Sequence, residues 1–386
     1  MHLRRLSLTN FRNYARQDFE FGRGTVLLLG ANAQGKTNVL EAIFLLATGR
    51  SERSDSDADY IAWAVRDETQ PYARIEGTAV RGGGETSVDL TIVGREGAHG
   101  LIASKRLKLN GVAKRASDAL GAITAVLFTT DDMELVKGAP SGRRRYLDVM
   151  LSQVDRGYVR ALSSYNKVIT QRNALLKKIG EGSAKRDELA YWDEELVRDG
   201  ATILSVRAKV VAQLSVAASD AHGRLSGERE QLVLAYQPRG GDDWPAERIA
   251  AADVADVAAG LIARLQATQA REIGAGLTLS GPHRDDLSMT LAGVSAASFA
   301  SRGQQRTAAL ALRLAESRLL HERSGERPIL LLDDVLSELD GSRRASVLAA
   351  IDADQVIITS ADADRFAAML AGAEVWDVAA GGALRR

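Results

Sequence analysis

The chain has 386 residues, 45% of them hydrophobic and 26% charged, an ordinary composition for a globular protein with a sizeable core. Lys plus Arg and Asp plus Glu both number 50, so a nucleic-acid partner would have to be held by a local patch rather than by overall charge. The absence of cysteine excludes disulfides and thiolate metal sites and points to a cytosolic protein, while no apolar run approaches the roughly 18 residues of a membrane span and Met1–Arg5 leads into no signal-peptide stretch.

The length predicts one large domain with an insertion, or two domains. Residues 1–30 read as strands, with Leu3, Leu6 and Leu8 apolar and Phe19-Glu20-Phe21 alternating before a Gly22–Gly24 turn. Thr25–Leu29 is a short β-favouring run that suits a buried strand. It runs into Gly30-Ala31-Asn32-Ala33-Gln34-Gly35-Lys36-Thr37, which is G-x-x-x-x-G-K-[ST], and then into Asn38–Leu46 with apolar residues at helical spacing. Strand, loop and helix in this order are the setting of a phosphate-binding loop. Glycines let successive N–H groups turn inward onto phosphate oxygens, and the helix start adds its amides and dipole. In such a loop Lys36 reaches the β and γ phosphates of ATP and the Thr37 hydroxyl holds Mg²⁺.

A polar loop is expected from Thr48 to Asp59, followed by strands at Ala73–Val80, Glu85–Val93 and Lys105–Leu109. Asn110-Gly111 is a hairpin signal, and Ala122–Phe128 a further strand. From about Arg143 apolar residues recur at steps of three and four, from Leu147 to Ile169. They recur again from Leu189 to Leu214, after Gly180–Ser183. Two antiparallel helices of about 30 residues would make an arm of about 45 Å; the alternative is a helical layer packed on the sheet. A strand at Leu232–Tyr236, a loop over 240–245 and an Ala-rich helix to about Ile273 follow. Leu277–Ser280 reads as a return to β before Gly281-Pro282-His283-Arg284-Asp285-Asp286. There His283 with the two aspartates is a possible metal site, although a histidine after a Gly-Pro turn is more often structural.

The apolar run Pro328–Leu332 ends in Asp333-Asp334. A buried parallel strand would deliver these acids at its carboxyl end, with Asp333 as the Mg²⁺ carboxylate and Asp334 as the group that positions water. A strand ending in solvated acids is the plainer alternative. Ser301-Arg302-Gly303-Gln304 stands before the helix Thr307–Leu320, and Ser337-Glu338-Leu339-Asp340 follows the acids. This order of motifs is that of ABC-type ATPases, and Val356–Ser360 reads as the last core strand.

The order resembles the ATPase heads of SMC-like chromosome and repair proteins. In detail it is similar to the bacterial RecF family, through Asn10–Tyr14, Gly30–Ile43, Lys137–Arg145, Gly281–Leu287 and Ser301–Thr307, and with the matches running from the first residues to the last strand the resemblance covers essentially the whole chain. The resemblance implies an α/β fold, an ABC-type ATPase head with a P-loop core sheet, an antiparallel β addition and an inserted helical arm or lobe. The expected division is 1–140, 141–275 and 276–386. It also implies an ATP-dependent head-to-head homodimer, with ATP between the P-loop of one subunit and Ser301, Gly303 and Gln304 of the other. Arg12 and Asp340 join the implied nucleotide-binding residues, and Lys36 and Asp334 the catalytic ones. The implied function is weak, DNA-stimulated ATPase activity coupled to binding duplex DNA at gaps or single-strand junctions. RecO, RecR and RecA are the implied partners, and no membrane is expected.

Two departures from transport ATPases stand out: Asp334 where many carry Glu, and Thr359-Ser360 where they place a histidine. A transporter subunit and a structural SMC-like tether are the competing readings. The missing histidine and the long insertion count against the first, the short helical region against the second. Basic clusters at Lys105–Arg115, Arg143–Arg145 and Lys177–Arg186 are candidate DNA contacts or plain solvated faces.

Overall fold

The computed structural model describes residues 1–386 apart from Glu52, Asp55, His99, 228–229, 240–243 and 362–371. The expected loop over 240–245 therefore lies largely outside the described residues. The chain divides into two compact units, Met1–Asp132 with Arg313–Arg386, and Met133–Leu312.

The first unit opens with β1 (His2–Phe11), β2 (Tyr14–Glu20), β3 (Gly24–Leu29) and α1 (Lys36–Thr48). Then come β4 (Tyr72–Arg81), β5 (Gly84–Gly97), β6 (Gly100–Leu109), β7 (Val112–Lys114), the single turn α2 (Ala116–Ala119) and β8 (Ala125–Thr129). Strands β2-β1-β4-β5-β6-β7 form one antiparallel sheet in that order. Asn110 and Gly111 both have positive φ, as a two-residue hairpin between β6 and β7 requires. Helix α1 is buried on nearly every side, which its almost continuous apolar run from Val39 to Ala47 permits. A side chain at Gly77 of β4 would sit 2.4 Å from Leu46, so this glycine lets α1 lie close against the antiparallel sheet.

The second unit contains α3 (Met133–Lys137), α4 (Pro140–Ser152), α5 (Arg156–Gly180), α6 (Leu189–Ser226), β9 (Leu232–Gln237), α7 (Ala246–Ala251), α8 (Val254–Ala275), β10 (Asp286–Leu291), β11 (Val294–Ser295) and α9 (Ala296–Phe299). It also holds the start of α10 (Arg302–Ser324). The periodic run from Leu147 to Ile169 is two helices rather than one. Asp155 breaks it by accepting a hydrogen bond from the Tyr158 amide at 2.8 Å, as an N-cap. The inserted region is a packed lobe: α6 buries Leu204, Val211, Leu214 and Ala218, and its Ser215 hydroxyl accepts the Leu234 amide of β9 at 2.9 Å. By length and composition alone the helical stretch Arg186–Ser226 could cross a membrane, but 61% of its apolar 18-residue segment is buried inside the protein.

Leu277–Ser280 forms no strand, because side chains take its amides. Asn173 accepts from Thr278 N at 2.8 Å and Glu272 from Leu279 N at 2.7 Å. The lobe core is instead braced by buried charge. Arg172, fully buried, donates to Asp193, Glu272 and Thr278 at 2.7–2.8 Å, and Arg207 donates to Asp148, Tyr158 and the Pro282 carbonyl. His283 is wired into the same network, its Nε2 donating to the Thr278 carbonyl at 3.1 Å and its Nδ1 accepting from Tyr165 at 2.7 Å. Asp286 pairs with Arg143 through two bonds of 2.7 and 2.8 Å, and Asp285 accepts from Tyr236 and the Arg239 amide. Among the described residues no cluster suited to a metal is found, and His283 has a structural role.

Back in the first unit, β12 (Ile329–Asp333), α11 (Gly341–Ala350), β13 (Gln355–Ser360), β14 (Glu374–Ala379) and β15 (Gly382–Arg385) complete the second sheet, in the order β15-β14-β3-β13-β12-β8. All its neighbours run parallel except the β14–β15 pair. The buried runs Val26–Leu29, Ile329–Leu332 and Val356–Ile358 are the continuous apolar strands that such a sheet needs.

Removing Arg172 leaves buried carboxylates without their cation, so Arg172→Ala should destabilise the lobe by about 3–5 kcal/mol, read as a lower denaturant midpoint. Burial pushes His283 down to about 4 from its ordinary 6.5. The unfolded chain therefore takes up this proton first, and the stabilisation present above pH 6.5 is lost as pH falls toward 4. The unfolding midpoint of the wild type should fall more steeply over that window than that of His283→Gln; parallel curves would contradict the assignment.

Candidate functional site

The parallel sheet brings three strand ends together. Strand β3 ends at Leu29 and delivers Gly30–Gly35, β12 ends at Asp333, and Thr359 is near the end of β13. The loop curls under tight constraints. A side chain at Gly30 would lie 2.1 Å from the Val378 carbonyl of β14. Gly35 has φ of 115° and a side chain there would strike Asn13 and Tyr14 at 2.5–2.9 Å. Ala31, Asn32 and Ala33 are exposed along the rim.

The backing of the loop comes from Asn13 and Tyr14 on one side and the β14–β15 turn on the other. Asn13 donates to the Gln34 carbonyl at 2.9 Å and Tyr14 to that of Gly35 at 3.1 Å. The Gln34 side chain accepts the Ala380 amide at 2.7 Å. Lys36 is buried and donates to the carbonyls of Gly30 and Ala31 at 2.6 and 2.8 Å. Burial lowers its pKa, and the charges of Asp334 and Asp333 pull it back up.

Thr37 donates to Asp333 Oδ1 at 2.9 Å. Thr359 donates to the same oxygen at 2.8 Å and accepts the Asp334 amide at 2.9 Å. One threonine thus fixes the carboxylate and the backbone of the next residue together. Burial raises the pKa of Asp333, opposed by the hydrogen bonds from Thr359 and Thr37. Asp334 is exposed, has φ of 54° and accepts from Ser337 at 2.5 Å. Asp340 caps α11 by accepting the Arg343 amide at 2.8 Å.

Arg12, also expected at the nucleotide, is bound to Glu41 of α1 by two bonds of 2.8 and 2.9 Å and to the Asp59 carbonyl at 3.1 Å. Glu41 also accepts from Ser51 at 2.6 Å, so Arg12 braces α1 one turn beyond Thr37. Sequence reasoning did not assign Thr359, Asn13, Tyr14 or Glu41 to the site. The Asn10–Tyr14 match was the one available signal for two of them.

Ser301, Gly303 and Gln304 belong to the other unit, at the start of α10. The Gln304 side chain accepts the Ser301 amide at 2.7 Å, while the Ser301 hydroxyl accepts the Gln304 amide at 3.3 Å. This reciprocal pair is a capping box, with Ser301 exposed at its tip. Of the basic clusters, Arg143 and Arg144 are engaged inside the lobe, with Asp286 and with the Asp285 carbonyl. Lys105 pairs with Asp57 and donates to the Gly49 carbonyl at 2.9 Å. Arg106, Lys108, Lys114 and Arg115, and Lys177, Lys178, Lys185 and Arg186, are exposed.

The parallel sheet, the loop before α1 and the paired aspartates define an α/β ABC-type ATPase head. The family model of the RecF/RecN/SMC N-terminal domain matches residues 2–381. The DNA replication and repair protein RecF of Roseiflexus castenholzii is 41% identical, covering 99% of each chain. That of Symbiobacterium thermophilum is 44% identical, covering 94% of this chain and 92% of its own. A solved structure described as the recombination mediator protein RecF-ATPrS in the RecFOR pathway superposes with a TM-score of 0.86 at 32% identity, over 100% of this chain and 98% of that one. The Smc head domain from Pyrococcus furiosus, 17% identical with a TM-score of 0.51 over 100% of this chain and 96% of that one, shares the fold. The chain belongs to the RecF family.

Because the Gly30 position has no room beside Val378, Gly30→Ala should cost about 1–3 kcal/mol of stability. Gly84→Ala, in open space, should stay within about 0.5 kcal/mol. Denaturant midpoints of the two variants make the comparison.

Proposed function

We propose that this chain is an ATP-switched DNA-binding protein of replication and repair. Its Gly30–Thr37 loop would bind ATP, and Mg²⁺ would be held by Thr37 and Asp333. The carrying observation is the shared hydrogen bond of Thr37 and Thr359 on one Asp333 oxygen beside the loop. The donor set fits: a hydroxyl and a carboxylate are the hard oxygen ligands that Mg²⁺ takes, and the glycine cradle leaves the loop amides approachable by phosphate. When bound, the metal neutralises charge on the β and γ phosphates.

The chain's own groups do the rest. Lys36 moves its ammonium from the loop carbonyls to the phosphates, and Asp334 orients the attacking water and accepts its proton. Asp is one methylene shorter than Glu, which favours slow turnover and a long-lived switch. Ser301, Gly303 and Gln304 of a second copy would close over the γ-phosphate, giving an ATP-dependent homodimer. Asp340 would lie in that interface. The Gln304 side chain is hydrogen-bonded to the Ser301 amide and to Glu230, and Arg12 pairs with Glu41, so both also shape their surroundings.

Dimerisation would double the number of exposed basic residues available to one duplex, and phosphate contacts dominate non-specific duplex affinity. Gapped or junction DNA, DNA-stimulated hydrolysis, cooperation with RecO, RecR and RecA, and a cytosolic setting belong to this reading. They are supported by the RecF family and the RecFOR context of the solved relative.

Asp334→Asn keeps a residue that tolerates positive φ and should retain ATP binding while phosphate release falls by about 100-fold or more. Turnover near that of the wild type would place the water under another residue. Ser301→Arg should bind ATP yet lose the ATP-dependent part of duplex binding. Its log–log salt slope should be shallower by roughly 0.9 for each DNA phosphate that the variant no longer neutralises. DNA titrations at several salt concentrations check it, and an unchanged slope would contradict the composite site.

A further inference from the structure

The Ser301 loop is not held by its capping box alone. The Gln304 side chain, whose oxygen accepts the Ser301 amide at 2.7 Å, turns its Nε2 to donate to Glu230 Oε1 at 2.5 Å. Glu230 stands just before β9, and its own backbone is fixed from α6, where buried His222 Nδ1 donates to the Glu230 carbonyl at 3.1 Å. Both ends of the Gln304 amide are therefore fastened, one to the loop and one to the lobe. An amide free to rotate could present either its oxygen or its nitrogen to Ser301. The carboxylate, which only accepts, forces the nitrogen toward itself and so the oxygen toward the Ser301 amide.

We propose that Glu230 is a positioning residue for the Ser301 loop, acting through Gln304. It fixes which end of that amide faces Ser301, and thereby holds the loop in the shape that a second copy's nucleotide would meet. The inference rests on the proposed role of Ser301 in the ATP-dependent dimer. The lobe core and the loop are joined by this relay through α6, His222, Glu230, Gln304 and Ser301.

Two readouts test it on the full chain. Hydrogen exchange at residues 301–305 without nucleotide reads the positioning itself. Glu230→Ala should speed exchange of the Ser301 amide by about 10-fold, the scale of one hydrogen bond to a charged group. Glu230→Gln, whose amide oxygen can still accept from Gln304, should restore much of the protection. In the second readout, the protein concentration giving half-maximal ATP hydrolysis should rise by about 10-fold in Glu230→Ala, with the plateau rate little changed. Gln304→Ala combined with Glu230→Ala should be no worse than Gln304→Ala alone, since the two act as one unit. Unchanged exchange in Glu230→Ala, or additive effects in the double variant, would overturn the relay. If exchange responds as expected but wild-type hydrolysis shows no dependence on protein concentration, the composite-site reading fails while the positioning stands.

Discussion

The shared hydrogen bond on Asp333 Oδ1 is the constraint on which the first unit depends. It ties the first turn of α1, through Thr37, to the ends of β12 and β13, through Asp333 and Thr359. A half-buried carboxylate is costly unless it is hydrogen-bonded, and two threonine hydroxyls on neighbouring elements supply that compensation at one of its oxygens. The register that makes it possible is set by apolar strands. Asp333 and Thr359 are paired neighbours across β12 and β13, and Thr359 in turn is level with Leu28, just before the loop. Shifting either strand by one residue would turn these polar groups into the apolar layers of the sheet.

Much of this was legible in the sequence. The loop Gly30–Thr37 carries its own chemistry, and an apolar run ending in Asp333-Asp334 identifies a strand end without knowledge of its neighbours. The position of α1, β3, β12 and β13 followed from the same local patterns. Thr359 was visible only as a departure from transport ATPases, because its partner stands 26 residues upstream and becomes adjacent only through parallel pairing. Asn13 and Tyr14 brace a loop some 20 residues further on, a relation that no periodicity encodes.

The basic residues show the opposite failure. Arg143-Arg144-Arg145 reads as a positive patch, yet Arg143 meets Asp286, 143 residues away, and Arg144 meets the Asp285 carbonyl. The same aspartates, read with His283 as a possible metal site, belong to this internal network. A sequence reports charges but not their partners, and a lobe that buries Arg172 and Arg207 can hide much of its formal charge. The extended stretch Leu277–Ser280 was misread for a related reason: its amides are taken by Asn173 and Glu272 rather than by a neighbouring strand.

The central claim is that nucleotide held at the Asp333 cluster brings two copies of this head together, and the mass of the full chain in solution tests it most directly. Light scattering with saturating Mg-ATP should show the 41.4 kDa chain doubling in mass, and returning to the single mass when ATP is removed. A chain that demonstrably binds ATP but keeps the mass of one copy at every concentration tested would contradict the account.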